Sequence, residues 1–143
     1  MSLLLDTSAV IYLYEHGNPK VAALLKAHDR EFSASLVTRG ELMRGYHSGH
    51  EAAIRTVREF TRTGGKWARI SEDIADRWGQ LASVTPLAVK ANDLWIAATS
   101  MENDDVLVTG DAALASLMLK VGGVCELVAP LGIKVSEDVA LER

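Results

Sequence analysis

Cysteine is almost missing from this 143-residue chain: Cys125 stands alone, so no internal disulfide can form and stability must come from packing. Its setting, Gly-Val-Cys-Glu-Leu-Val, reads as a small residue in a buried strand rather than a reactive thiol. Proline is scarce, with 3 residues, and 48% of the chain is apolar, which excludes a Pro-rich disordered segment. No apolar run approaches the ~20 residues that span a bilayer. Nothing near the start has the form of a secretory leader, because Leu3–Leu5 run at once into Asp6. A cytoplasmic protein is therefore expected. A glycine-rich phosphate loop is absent too, which argues against nucleoside triphosphate chemistry.

An excess of positive charge is also lacking. The net charge of −4 argues against a protein that coats nucleic acid without specificity. Its distribution is uneven, however. Between Arg39 and Arg69, seven basic residues (Arg39, Arg44, Arg55, Arg58, Arg62, Lys66, Arg69) face only Glu41, Glu51 and Glu59, a local +4. Such a stretch is either a solvated helical face or a flank that meets phosphates or a partner.

What remains suits one compact domain over residues 1–143, long enough to bury a core. Leu3–Leu5 reads as a first strand, and residues 8–16 carry a helical pattern closed by Gly17-Asn18-Pro19. Pro19 suits the first position of a second helix, with Val21, Leu24, Leu25 and His28 at helical spacing. Residues 31–35 form a second strand, and Ser35 caps the helix that follows. Residues 50–63 are amphipathic through Ala53, Ile54, Val57 and Phe60, and Gly64-Gly65 ends them. Residues 67–70 are a third strand, and Ser71 with Glu72 and Asp73 opens a further helix, acids first. A turn is expected at Thr85-Pro86, helices at residues 92–101 and 112–120, and strands at residues 106–109 and 124–128. Strands alternating with helices predict an α/β fold, a three-layer α/β/α arrangement around a mainly parallel central sheet.

In such folds ligands gather at the carboxyl ends of strands, which makes the position of each acid informative. Asp6 follows Leu3–Leu5 directly. Asp111 follows Val106–Thr109 with one glycine between. Glu41 lies about two turns into the helix after the second strand, and Asp93 opens the helix of Asn92–Met101. Each has a plain alternative: Asp6, Asp93 and Asp111 could be helix caps, and Glu41 could pair with Arg39 or Arg44. Four carboxylates in one cleft would repel and tend to protonate. A hard divalent cation, Mg2+ or Mn2+, relieves that repulsion and prefers oxygen ligands. Such a cation also activates water near neutral pH, which suits phosphodiester hydrolysis without a Cys or His nucleophile. Ser8 and Thr109, hydroxyls at the same strand ends, are candidates for holding water or a phosphate oxygen. Arg44, one turn from Glu41, is the best candidate for a phosphate contact.

Leu-Leu-Leu-Asp-Thr-Ser-Ala-Val-Ile-Tyr-Leu, then Thr-Arg-Gly-Glu-Leu-Met-Arg-Gly-Tyr, then Lys-Ala-Asn-Asp-Leu-Trp-Ile-Ala-Ala-Thr-Ser-Met, then Leu-Val-Thr-Gly-Asp, in this order, resemble the PIN-domain nucleases. The resemblance runs from Leu3 to about Leu131 and is closest to the VapC-like toxins of bacterial toxin–antitoxin pairs. It implies a parallel sheet between helices and cleavage of RNA. It also implies a homodimer, and a small antitoxin that inhibits by docking near the site. Asp6, Glu41, Asp93 and Asp111 would be the acids that hold Mg2+ or Mn2+. Two departures stand out. Gly110 occupies a place where the family often has Asn, which predicts a more flexible loop before Asp111, and Trp95 occupies a slot usually aliphatic, where core packing is expected.

Other residues carry weaker signals. His47 and His50 have a spacing used by zinc sites, but Ser48-Gly49 should end the helix between them. Asp104-Asp105 reads as a solvated turn, and Trp67 and Trp78 as core rather than base-stacking residues. A receiver-type phosphorylated signalling domain shares the fold class, yet it needs an early acid pair and an Asp ending the third strand, and neither is present. A PIN-like binding or scaffold module with a non-catalytic acidic pocket is the remaining rival.

Overall fold

The computed structural model describes residues 1–85 and 89–129. The turn expected at Thr85-Pro86 falls partly outside them. The elements in chain order are β1 (Leu3–Leu5), α1 (Thr7–Tyr14), α2 (Pro19–Ala27), β2 (Phe32–Ser35), α3 (Leu36–His47), α4 (Ala52–Arg62), β3 (Lys66–Ala68), α5 (Glu72–Val84), α6 (Ala91–Glu102), β4 (Val106–Thr109), α7 (Ala112–Lys120) and β5 (Val124–Leu127).

All strand pairs are parallel, in the order β3-β2-β1-β4-β5. The order reverses between β1 and β4, whose registers pair Leu3 with Val106 and Leu5 with Val108. Strand side chains alternate between faces, and the core divides accordingly. Leu3, Leu5, Val106 and Val108 pack with Val10, Val21, Leu42, Val57 and Phe60 from α1 to α4. Leu4 and Leu107 point the other way, into Ile74, Leu81, Ile96, Leu114 and Met118 from α5 to α7. The central strands are apolar on both faces because helices cover both, giving the three-layer α/β/α architecture.

Local signals set the helix boundaries. Asn18 accepts from the Lys20 and Val21 amides ahead of Pro19, Ser35 from Val37, and Ser71 from Ile74. Helix α1 begins at Thr7, a residue earlier than its pattern suggested, because Asp6 rather than Thr7 or Ser8 is its cap. All seven basic side chains from Arg39 to Arg69 are exposed; Arg62 pairs with Glu59 at 2.6 Å, and Arg39 lies 5.2 Å over the Trp67 ring. Both tryptophans expected in the core pack on aromatic neighbours, Trp67 on Phe60 and Trp78 on Trp95. Helix α3 ends at His47, and His50 turns instead to Glu15 at 2.6 Å, so these two histidines form no zinc pair.

One expectation is corrected. Asp104 is exposed, at φ 53°, but Asp105 is not a solvated turn residue: it is only 7% exposed. The Val106 amide bonds to the Ser2 carbonyl where β4 joins β1, and this pairing covers the preceding carboxylate. Its Oδ1 accepts from the Ser2 hydroxyl at 2.6 Å, which offsets part of the desolvation.

Phe60 anchors the α1–α4 layer, fully buried and edge-on to Phe32 at 5.3 Å between centroids. Phe60→Ala should cost about 3–5 kcal/mol, the range for deleting a buried aromatic. Urea unfolding checks this; a midpoint close to wild type would show that the layer closes around the gap.

Candidate active site

The carboxyl ends of β1 and β4 place their next residues side by side at the point where strand order reverses. Asp6, 4% exposed, follows β1 and is fixed from three directions. Its Oδ1 accepts from the Ala9 amide at 2.8 Å and the Ser8 hydroxyl at 2.6 Å. Its Oδ2 accepts from the Thr109 hydroxyl at the end of β4, across 103 residues of sequence. Burial nonetheless raises the Asp6 pKa, and the nearby Asp111 charge adds to the rise; the three donors only moderate it. Capping does not exhaust the carboxylate: Oδ1 takes two donors but Oδ2 only one, and a carboxylate oxygen can accept more than one.

Asp111 caps α7 through Oδ1 alone, accepting from Ala113 at 2.8 Å and Leu114 at 3.3 Å. Glu41 arrives from α3, half-buried, and pairs with neither Arg39 nor Arg44. Its Oε1 accepts from the Thr7 hydroxyl at 2.7 Å, and Thr7 lies 3.1 Å from the Thr38 hydroxyl. Asp93 stands in the first turn of α6, where the helix dipole favours a charged carboxylate. Its pKa is still raised to about 6, by burial first and then by Asp111, Asp6 and Glu41. Three other carboxylates outweigh one helix end. All four acids therefore share one electrostatic field, although among the described residues no three metal-binding side chains lie close enough to enclose an ion directly.

The two candidate hydroxyls are engaged inward. Thr109, fully buried, donates to Asp6, while Ser8 donates to Asp6 and accepts from the Gly110 amide at 2.9 Å. They hold the carboxylate in place. Arg44 is exposed on α3, one turn from Glu41. Cys125 sits half-buried on the edge strand β5, its thiol pushed up to about 12 by burial, as befits an inert thiol. Gly110 is closely covered. The Tyr12 ring rests against it, so closely that a Cβ built there would lie 2.5 Å from Tyr12 Cε2. Thr7, Thr38 and Tyr12 were missed as site residues by sequence reasoning. For Thr7 the adjacency to Asp6 was a usable signal; for Tyr12 the only hint was the missing side chain at position 110.

A parallel sheet between two helical layers, with four acids near its switch point, defines an α/β protein with an acidic end to its sheet. Residues 3–118 match the PIN domain family, and the chain belongs to that family. No curated protein matches the chain significantly. Among solved structures it superposes on VapBC2 from Rickettsia felis bound to a promoter DNA fragment, with a TM-score of 0.74 at 17% identity over 89% of this chain and 98% of that one. VapBC-1 from nontypeable Haemophilus influenzae gives 0.74 at 23% identity, covering 89% and 98%. A toxin–antitoxin complex from Klebsiella pneumoniae gives 0.67 at 25% identity, covering 90% and 99%.

Because the Asp93 pKa in the fold lies above its ordinary 3.8, ionising Asp93 favours the unfolded chain. Its contribution is most favourable below about pH 4, is lost as pH rises toward about 6, and stays lost above. Asp93→Asn should therefore raise Tm in metal-free buffer at pH 7.5 by about 2–4 °C, the scale of a 1 kcal/mol change. The difference should vanish toward pH 4. Equal or lower Tm at pH 7.5 would show that Asp93 carries no such repulsion.

Proposed function

We propose that this protein is a Mg2+- or Mn2+-dependent endoribonuclease, the toxin of a toxin–antitoxin pair. The observation that carries the reading is the shared field of Asp6, Glu41, Asp93 and Asp111 at the switch point, within a PIN domain. The donor set fits a hard divalent cation. Every candidate ligand is a carboxylate oxygen, and a cation that keeps several of its waters can bridge acids that do not converge directly. Hydrogen bonds leave acceptors available: Asp111 and Glu41 are each engaged at one oxygen, and the Asp93 carboxylate makes no hydrogen bond among the described residues. When bound, such a cation supplies Lewis acidity toward a phosphoryl oxygen and lowers the pKa of water.

The chain's own residues prepare that chemistry. Thr109, Ser8 and the Ala9 amide lock Asp6 in one orientation before any ligand arrives, and Thr7 does the same for Glu41. Asp93 must lose its proton to serve as a ligand, so protons compete with the metal and the apparent affinity for Mn2+ should climb as pH rises toward and through about 6. Arg44, exposed one turn from Glu41, would be the contact for a phosphate. The structures it resembles include toxin–antitoxin complexes, which supports a small antitoxin as partner; a homodimer is part of the same proposal.

Purified protein should cleave RNA with Mn2+ or Mg2+ and stop when the metal is chelated. Asp6→Asn should lower the rate by about 100-fold or more, the scale for losing one electrostatic group from a hydrolytic site. Cleavage that survives chelation or the substitution overturns the mechanism. A protein whose Tm rises with millimolar Mn2+ but which leaves RNA intact would instead be the binding module.

A further inference from the structure

The Tyr12 hydroxyl lies near the acids and, among the described residues, neither caps a helix nor orients a carboxylate. Tyr12 lies one helical turn after Ser8, on the face of α1 that meets the β4–α7 loop. A Cβ at Gly110 would fall 2.5 Å from its Cε2, 2.7 Å from its hydroxyl oxygen and 2.9 Å from its Cζ. The phenolic end of the ring, rather than its base, therefore occupies the space that a side chain at position 110 would need. Gly110 is not among the glycines with a left-handed backbone, so its lack of a side chain provides room rather than an unusual turn. His16, one turn further along, stacks on the ring at 6.1 Å between centroids.

Packing alone would be served by phenylalanine. The hydroxyl needs another account, since it makes no hydrogen bond among the described residues and stands on a partly exposed residue. Burial and the charges of Asp6 and Asp111 raise the phenol's pKa, so it remains a protonated donor at neutral pH. Beside two carboxylates, such a donor suits an anionic oxygen entering the cleft.

We infer that Tyr12 is a substrate-contacting residue that donates its hydroxyl proton to a phosphate oxygen of the RNA strand, and that Gly110 makes this position possible. The inference rests on the nuclease reading. Tyr12 and Gly110 work as a matched pair, one supplying the donor and the other the space.

The test compares wild type with Tyr12→Phe, Gly110→Ala, the double variant and Asp6→Asn, by KM and kcat on a fluorescent RNA oligonucleotide with Mn2+. Tyr12→Phe keeps the ring and should lower kcat/KM by about 10-fold or more, as for a lost hydrogen bond to a charged group. Its Tm, and the rise in Tm caused by Mn2+, should match wild type. Gly110→Ala should push the ring aside with a similar loss, and the double variant should be no worse than the weaker single, since both remove one contact. Wild-type kinetics in Tyr12→Phe, with Asp6→Asn inactive, overturn the Tyr12 role alone. Loss of the Mn2+ shift in Tyr12→Phe also overturns it, by placing the residue on the metal side. Wild-type protein that cuts no RNA, or cuts it equally well as Asp6→Asn, overturns the nuclease reading and the Tyr12 role with it.

Discussion

A carboxylate held at the end of a buried strand, almost out of water, is the constraint around which the rest is arranged. Asp6 is desolvated, and that alone would drive it toward its neutral form. The fold surrounds it with donors drawn from two distant parts of the chain: the start of α1 supplies Ser8 and Ala9, and the end of β4 supplies Thr109. These donors work only if β1 and β4 are neighbours in a fixed register. The apolar strands and the two helical layers are what hold that register.

The same arrangement explains why the acids are not simply helix caps. Asp6 and Asp111 do cap α1 and α7, and these caps position the carboxylates at the switch point. The Asp111 cap uses one carboxylate oxygen and leaves the other without a hydrogen bond among the described residues. Under the proposed function, local structure and site chemistry are two uses of one side chain.

The alternation of apolar strands with amphipathic helices made the architecture legible, because parallel strands covered on both faces must be apolar throughout. Val106–Thr109 and Ala112–Lys120 were readable to the residue, since a β-rich run and a helical repeat there have sharp polar boundaries. Asp6 and Asp111 drew notice by following strands, and Glu41 and Asp93 by lying on helices that leave the sheet region; their mutual proximity is a finding of the structure. What they lean on was not legible either. The Thr7–Glu41 and Thr109–Asp6 bonds join residues 34 and 103 positions apart, and a lone threonine looks the same whether it orients a carboxylate or faces water. Asp105 looked solvated because its neighbours in sequence are polar, whereas its neighbour in space, Ser2, sits at the other end of the chain. Gly110 looked like slack in a loop because sequence reports that a side chain is missing, not what fills the gap.

The span between Asp6 and Thr109 also sets an order of events. Domains assemble as units as the chain is made, and contacts between distant residues wait for the intervening segments. β4 is among the last elements of the described fold, yet it must insert beside β1, the first. A ribosome-bound chain complete through α6 already contains Asp6, Glu41 and Asp93, but Asp6 still lacks the hydroxyl that grips its outer oxygen, and Asp111 has not emerged. The acidic cleft is thus among the last parts of the molecule to come into being.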